Sequence, residues 1–444
     1  MDAIWIDEDE DEFMIDTSAY QITRKLTLGE PEKRISGREY VHRLRNQFLR
    51  LNPQPKWAEL PDNQIQDDQN ALDNLLSSAD PLHHIEKSKS NSDINIPLPS
   101  GKIVIEGLQD ANKAVPANKE ISALHFHPSS QLLLVGSRDT SVNIFSINGV
   151  DNPHYHTIRF KQAPISSASF TPDGKSIIAV SEQKRNYFLF DIQAMETQQI
   201  QTSTEILFGR RELVLDQMII PPFNNCNYYA FLGSEGHILL YSLRSHMQVA
   251  DMKINGQVNC GCFDPSGTYL FCGGSEGRIS MFDIRGCQGG ITRCMENWES
   301  SSGVGVEITS IDCSANGQFL VVGTSQGNVT LHMLNGTRSS TSNRPPILRD
   351  FDNLQTQVDN LIFHPSSELF AMASSAIASK ANQPGGHLTL RLAHVDTLAI
   401  FQNWPSARTP LGRVTKLAFS NSGGFFAVGN AAGRVLLHRL THYS

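Results

Sequence analysis

The sequence is short of charge and of paired cysteine, and each shortage excludes something. Charged residues fill only 18% of the 444 positions, too few for an array of solvated helices. The formal charge of -8 argues against a protein that coats nucleic acid over its whole surface. The seven cysteines contain no C-x-x-C pair, and an odd count gives no disulfide framework, so reduced thiols packed as small apolar groups are expected. No apolar run approaches the length of a membrane span. The opening "MDAIWIDEDEDE" has neither the basic start nor the apolar stretch of a secretory signal. These absences together lead to the expectation of a soluble intracellular chain.

What is present is turn chemistry. Apolar residues at 39% suffice for a core, and 32 glycines lean towards a β-rich protein. The composition breaks near residue 100. Residues 61–100, "PDNQIQDDQNALDNLLSSADPLHHIEKSKSNSDINIPLPS", are rich in Asp, Asn, Gln, Ser and Pro and read as a flexible linker. Residues 1–60 before it form an N-terminal arm, and residues 101–444 form the folded body.

That body repeats itself. "ISALHFHPSSQLLLVGSRDTSVNIFSI" from Ile121 is followed by "ISSASFTPDGKSIIAVSEQKRNYFLFDI" from Ile165. A weak third unit, "IIPPFNNCNYYAFLGSEGHILLYSL", ends at Leu243, and further copies start at Val258, Ile308, Val358 and Val414. Each has a short strand, a Pro/Ser/Asn-Gly turn, an apolar strand such as "QLLLVG", a second turn and a third strand such as "RISMFDI". Pro128 to Pro172 spans 44 residues, and the steps Pro265 to Ala315 to Pro365 span 50 each. Seven units at this spacing predict an all-β fold, a seven-bladed WD40-type β-propeller preceded by an extended arm. The blade signatures are eroded: the Trp-Asp position reads "FDI" at Phe190 and Phe282, and no Gly-His precedes the first strands. The last unit lacks a fourth strand, and "GKIVIEG" at 101–107 is the expected donor that closes the ring.

Motifs for catalysis are weak. "PDGKS" at 172–176 ends like a phosphate-binding loop, but Ser169 stands where the first glycine is required and the loop enters a strand rather than a helix. His125 with His127, His154 with His156, and Cys260 with Cys262 alternate on strands without a third ligand at suitable spacing. No catalytic residue, cofactor or metal site is expected, nor an enzyme.

The arm is more informative. Residues 1–16 carry eight acidic side chains and no basic one, whereas residues 20–56 carry nine Lys or Arg against three Glu. Ser36 and Glu39 make a capping box. Tyr40 or Val41, Leu44, Phe48 and Leu51 follow at helical spacing, with Arg38, His42, Arg43, Arg45 and Arg50 around them, and Asn52-Pro53 ends the pattern. The result is one short basic amphipathic helix outside the repeats. Its apolar stripe needs a surface, either the propeller rim or a partner. Trp5, Arg24, Lys25, Arg38, Tyr40, Arg43, Leu44, Arg45, Phe48 and Trp57 are the candidate partner- or RNA-binding residues of the arm.

The stretches "WIDEDEDE", "TRKL", "SGREYVHRLRNQF", "PQPKWAEL", "SALHFHPSSQLLLVG", "MKINGQV" and "PLGRVTKLAFSNSGGFFAVGNAAGRVLLHRLTHYS" resemble the U3 small nucleolar RNA-associated protein 18 family, over nearly the whole chain apart from the linker. The resemblance implies a nucleolar, non-catalytic scaffold of the small-subunit processome. It would hold U3 snoRNP, pre-rRNA and other WD40 propeller proteins together during 18S rRNA maturation, the basic arm either contacting RNA directly or reaching it through protein, with no membrane or small-molecule partner. Some members carry an upstream segment that recruits an exosome-associated helicase, and no counterpart is expected ahead of "WIDEDEDE". The alternative is a WD40 adaptor of another complex, such as a ubiquitin-ligase substrate receptor. The Trp-Asp-x-Arg ending of many such receptors is absent, the nearest match being "FDIRG" at 282–286.

Overall fold

The computed structural model describes residues 14–16, 34–51, 98–99 and 101–443, apart from positions 161–162, 182, 184–185, 202–214, 224–225, 286–293, 304, 335–343, 355, 375–388, 407–408 and 410. Trp5, Arg24, Lys25, Trp57 and all of the expected linker except Leu98 and Pro99 lie outside the described residues. The chain divides into two units, residues 1–96 and 97–444.

In the first unit, strand β1 (Met14–Asp16) pairs antiparallel with β2 (Arg34–Ser36), placing Ile15 opposite Ile35. Helix α1 (Gly37–Leu51) follows directly. The helix starts where its cap dictates: the Glu39 amide donates to Ser36 Oγ at 3.4 Å, meeting one of the four N–H groups that no helical carbonyl can reach. The Glu39 carboxylate turns the other way, to Arg43 at 2.6 Å, an i,i+4 pair on the helix surface.

The second unit is a seven-bladed β-propeller, each blade a four-stranded antiparallel sheet. The blades' first strands, such as Ile121–Phe126 and Val258–Phe263, line a central channel. The weak third unit is a full blade, and its first strand, Leu215–Ile219, lies upstream of most of the stretch that reads as a repeat. "HYHTIR" supplies the first blade's fourth strand, His154–Arg159. The seventh blade takes its fourth strand from the far end of the unit: β3 (Ile105–Gly107) pairs antiparallel with Val435–Leu440, Ile105 opposite Leu440. The Leu108 and Ala111 amides extend that seam by donating to Leu437 and Val435 carbonyls, both at 2.9 Å.

The core is a set of layers between blades rather than one central mass. Seven clusters of buried apolar side chains occur, one at each seam between neighbouring blades. The recurring glycine of "LLLVG", "FCGG" and "FAVG" sits where a side chain would crowd a neighbour, Ala123 of the same blade for Gly136 and Ile121 of the next blade for Gly429. A Cβ on Gly273 would lie 2.6 Å from Ile308 of the next blade. Polar clasps bridge the same seams. Near the start of the inner strands, Ser122 Oγ donates to the Ile165 carbonyl at 2.7 Å, Asn259 Nδ2 to Ile308 at 3.1 Å and Asn360 Nδ2 to Thr415 at 2.7 Å. In the turns that follow those strands, His127 Nε2 donates to the Gly174 carbonyl at 2.9 Å and His364 Nε2 to Gly423 at 3.0 Å. Asn421 Nδ2 completes the ring from the seventh blade to the first by donating to Pro128 at 2.6 Å.

Candidate partner-binding surfaces

The arm helix presents its surfaces in an unusual order. Tyr40, Arg43 and Gln47, spaced at three and four residues, are the half-buried positions. Val41, Leu44 and Phe48, each one residue further along, are exposed at 42%, 39% and 64%. One residue turns the helix by about 100°, so the apolar stripe faces away from the covered side. Arg38 and Arg45, two turns apart and both exposed, line the opposite edge of the stripe. His42 and Asn46 hydrogen-bond each other at 3.3 Å on the polar side. Of the ten candidate arm residues, six thus lie on α1, with Tyr40 and Arg43 half-buried and Arg38, Leu44, Arg45 and Phe48 open to solvent.

Charge is divided between the units as sharply as structure. Residues 97–444 hold 26 Lys or Arg and 26 Asp or Glu, so the propeller is neutral and the whole formal charge of -8 resides in residues 1–96. The stretch 20–56 is the basic island within that acidic unit. A neutral propeller generates little long-range attraction for phosphate, which leaves the stretch 20–56, with nine Lys or Arg against three Glu, as the chain's concentrated basic stretch.

The channel is polar but chemically quiet. Two adjoining cavities of about 520 and 450 Å3 share Gln217, Thr309, Asn360 and Lys416 in their walls. The hydroxyls of Ser122 and Thr309 are donated to the backbone carbonyls of Ile165 and Val358 rather than to a base. Burial pushes the Cys260, Cys262 and Cys272 thiols up, so they stay neutral and poorly nucleophilic. Burial likewise holds His125 down at about 4 and lowers Lys416, the latter opposed by Asp359. Asp312 is pushed up to about 7 by burial, although the Phe363 amide donates to its Oδ2 at 2.6 Å. Among the described residues, no group of His, Cys, Asp and Glu could hold a metal ion.

The strand histidines have structural work. The His127 Nδ1 accepts from the Ser129 and Ser130 amides while its Nε2 clasps Gly174, which fixes the tautomer. Gly174 belongs to "PDGKS", and a Cβ there would overlap the His127 ring, so this loop is a blade turn shaped by a neighbour's imidazole. His154 bonds Thr157 Oγ1 at 2.8 Å, and His156 stacks on Phe190 at 5.8 Å. The clasping role escaped the sequence reading, although the repeated "HPSS" at 127–130 and 364–367 was its signal.

The WD domain, G-beta repeat family model matches residues 113–146 and 238–283, parts of the first, third and fourth blades. Across its full length the chain is 32% identical to the U3 small nucleolar RNA-associated protein 18 homolog of Arabidopsis thaliana, covering 76% of that protein. It is 30% identical over 99% of its length to the probable U3 small nucleolar RNA-associated protein 18 of Schizosaccharomyces pombe, covering 81% of it. The human homolog is 25% identical over 99% of the chain, which covers 74% of the human protein. These matches run through the arm and the propeller together, and the chain belongs to the U3 small nucleolar RNA-associated protein 18 family.

Proposed function

We propose that the protein is a non-catalytic scaffold of the small-subunit processome. Its arm and propeller would hold U3 snoRNP, pre-rRNA and other propeller subunits in one particle during 18S rRNA maturation in the nucleolus. The observation that carries this reading is the extent of the match: likeness to proteins named for association with U3 small nucleolar RNA runs across both units, 100% of the chain in the Arabidopsis case. The neutral ring, with its channel hydroxyls committed to backbone carbonyls, suits a platform better than a reaction site. Residues 1–60 act as a contact arm, 61–100 as a tether, and 101–444 as the platform. Arg24, Lys25, Arg38, Arg43 and Arg45 supply the arm's charge, and Trp5, Tyr40, Leu44, Phe48 and Trp57 its apolar contacts.

The test is purification of the tagged full chain at moderate salt, with U3 small nucleolar RNA quantified against an unrelated small nuclear RNA. Specific enrichment of U3 is expected. Deletion of residues 1–60 should release the chain from U3 particles while the propeller still melts cooperatively. A full chain that carries no U3 and instead recovers ubiquitin-ligase subunits would overturn the reading.

A further inference from the structure

We propose that the smaller of the two channel cavities binds a small organic cation, an alkylguanidinium or alkylammonium head on an apolar stem, with Asp312 as its counter-ion. The cavity of about 450 Å3 is large enough for such a ligand, and Phe223, 38% exposed, stands in its wall. Asp312 lines this cavity and not its neighbour, whereas Asp359 and Lys416 lie on the stretch of wall that the two share.

The wall is built to accept hydrogen bonds. Thr309 Oγ1 and Ser310 Oγ both donate to the Val358 carbonyl, which leaves their oxygens with lone pairs alone to offer. The side-chain amides of Asn360 and Asn421 likewise give an N–H to the Thr415 and Pro128 carbonyls. The other ionisable neighbours are neutral or engaged. Burial holds His125 and His364 at about 4 and pushes the Cys260, Cys262 and Cys313 thiols up. Lys416 is opposed by Asp359, and Asp264, beside Cys313, accepts from the Ser266 amide and hydroxyl.

Asp312 is the exception: among the described residues it has amide donors, that of Phe363 at 2.6 Å, and no cation. A carboxyl in that position keeps its proton near neutral pH until a positive charge arrives. An anion would meet lone pairs and a carboxyl, so this cavity does not suit a phosphate. Ile220, Pro222, Phe223, Leu361 and Ile362 line the same space and would cover a methylene stem.

The test is calorimetric titration of the purified full chain with n-butylguanidinium chloride at pH 7.5, which leaves the assembly role out of the measurement. Saturable one-to-one binding with a dissociation constant at or below about 1 mM is expected. Asp312→Asn should weaken it at least tenfold and Phe223→Ser about threefold, with both variants still melting cooperatively. The uncharged n-butylurea should bind at least tenfold more weakly than the cation, a comparison that needs no variant. Binding ionises Asp312, so the chain should release most of one proton at pH 6 and almost none at pH 8.5, read in buffers of different ionisation heat. Parallel titrations with spermidine and with acetyl-Gly-Arg-Gly-amide distinguish a free polyamine from an arginine carried on a protein, the tighter ligand marking the source. No saturable binding, equal binding of n-butylurea, or unchanged affinity in Asp312→Asn would each overturn the inference.

Discussion

Asn403 grips Ile103 by both ends of its amide: Nδ2 donates to the Ile103 carbonyl at 2.6 Å, and Oδ1 accepts from the Ile103 amide at 3.3 Å. The two residues are 300 positions apart. In geometry the side chain imitates a β-ladder partner, because it satisfies the donor and the acceptor of one residue at once. Its position explains why it is needed. The closing strand β3 has only three residues, and Ile103 lies just before it, buried with Leu98 and Trp404 in the seam between the sixth and seventh blades. The backbone at Ile103 has no ladder neighbour among the described strands, and Asn403 provides one.

Asn403→Leu should therefore loosen the closure. Both polar groups of Ile103 lose their partner in a partly buried setting, a cost of about 1–3 kcal/mol. The expected outcome is a lower melting temperature and faster amide exchange from Ile103 through Leu108, with the first-blade strands unaffected. An unchanged melting curve would show that water replaces the amide at no cost.

Gly273 tests the layered core. Gly273→Ala places a methyl group 2.6 Å from Ile308 Cγ2 and 2.8 Å from Ile311 Cδ1, across the seam between the fourth and fifth blades. Overpacking of this kind typically costs about 1–3 kcal/mol. Gly303→Ala is the control: its φ of 92° strains any side chain, but nothing lies within 4 Å of the new methyl. Thermal unfolding of both variants separates strain from contact. Paired with Ile311→Val, which removes the Cδ1 that lies 2.8 Å from the new methyl, Gly273→Ala should recover part of its loss, and Gly303→Ala should not.

Protons pull on the propeller in two directions. Burial holds His364 at about 4 against its ordinary 6.5, with the Gly423 hydrogen bond opposing, and burial lowers His125, His332 and His438 to about 4 as well. These imidazoles stay neutral in the fold while the unfolded chain takes up protons below 6.5. Their contribution is full above 6.5 and is lost as pH falls to about 4. Asp312 runs the other way, because burial raises its carboxyl to about 7 from 3.8, and stability is lost as pH rises through that window. Asp312→Asn should thus raise the melting temperature at pH 8, by up to a few kcal/mol in free-energy terms, and the gain should vanish near pH 4. The new Oδ1 can still accept from Phe363. A variant that melts alike at both pH values would show that the channel hydrates the carboxylate.

The ring was legible because a propeller repeats: strand, turn and glycine recur in register, and even the eroded "FDI" positions keep the buried Phe190 and Phe282. The start of the third blade was obscure because Leu215–Ile219 reads "LDQMI", with Gln217 facing the channel instead of a seam. The Asn403 clasp was invisible since nothing local in "FQNWPS" announces a partner 300 residues away. On the arm, spacing revealed the helix and its cap. It could not reveal which side was covered, since burial of Tyr40, Arg43 and Gln47 is a tertiary fact that a stripe of Val41, Leu44 and Phe48 would have been thought to contradict.

Ser36 connects that helix to its binding. With 15 residues, α1 is marginal in water, and an N-cap serine is worth about 1 kcal/mol to such a helix. Ser36→Ala removes the oxygen that meets the Glu39 amide, and the cost of ordering the first turn then falls on the docking step. A loss of about 1 kcal/mol is roughly fivefold in affinity, which a competition of Ser36→Ala against the unaltered chain for entry into U3 particles would register. Ser36→Asp restores an acceptor and adds negative charge at the helix N-terminus, so it should regain the unaltered level or exceed it. If Ser36→Ala and Ser36→Asp compete equally with the unaltered chain, the partner binds this segment without needing it helical.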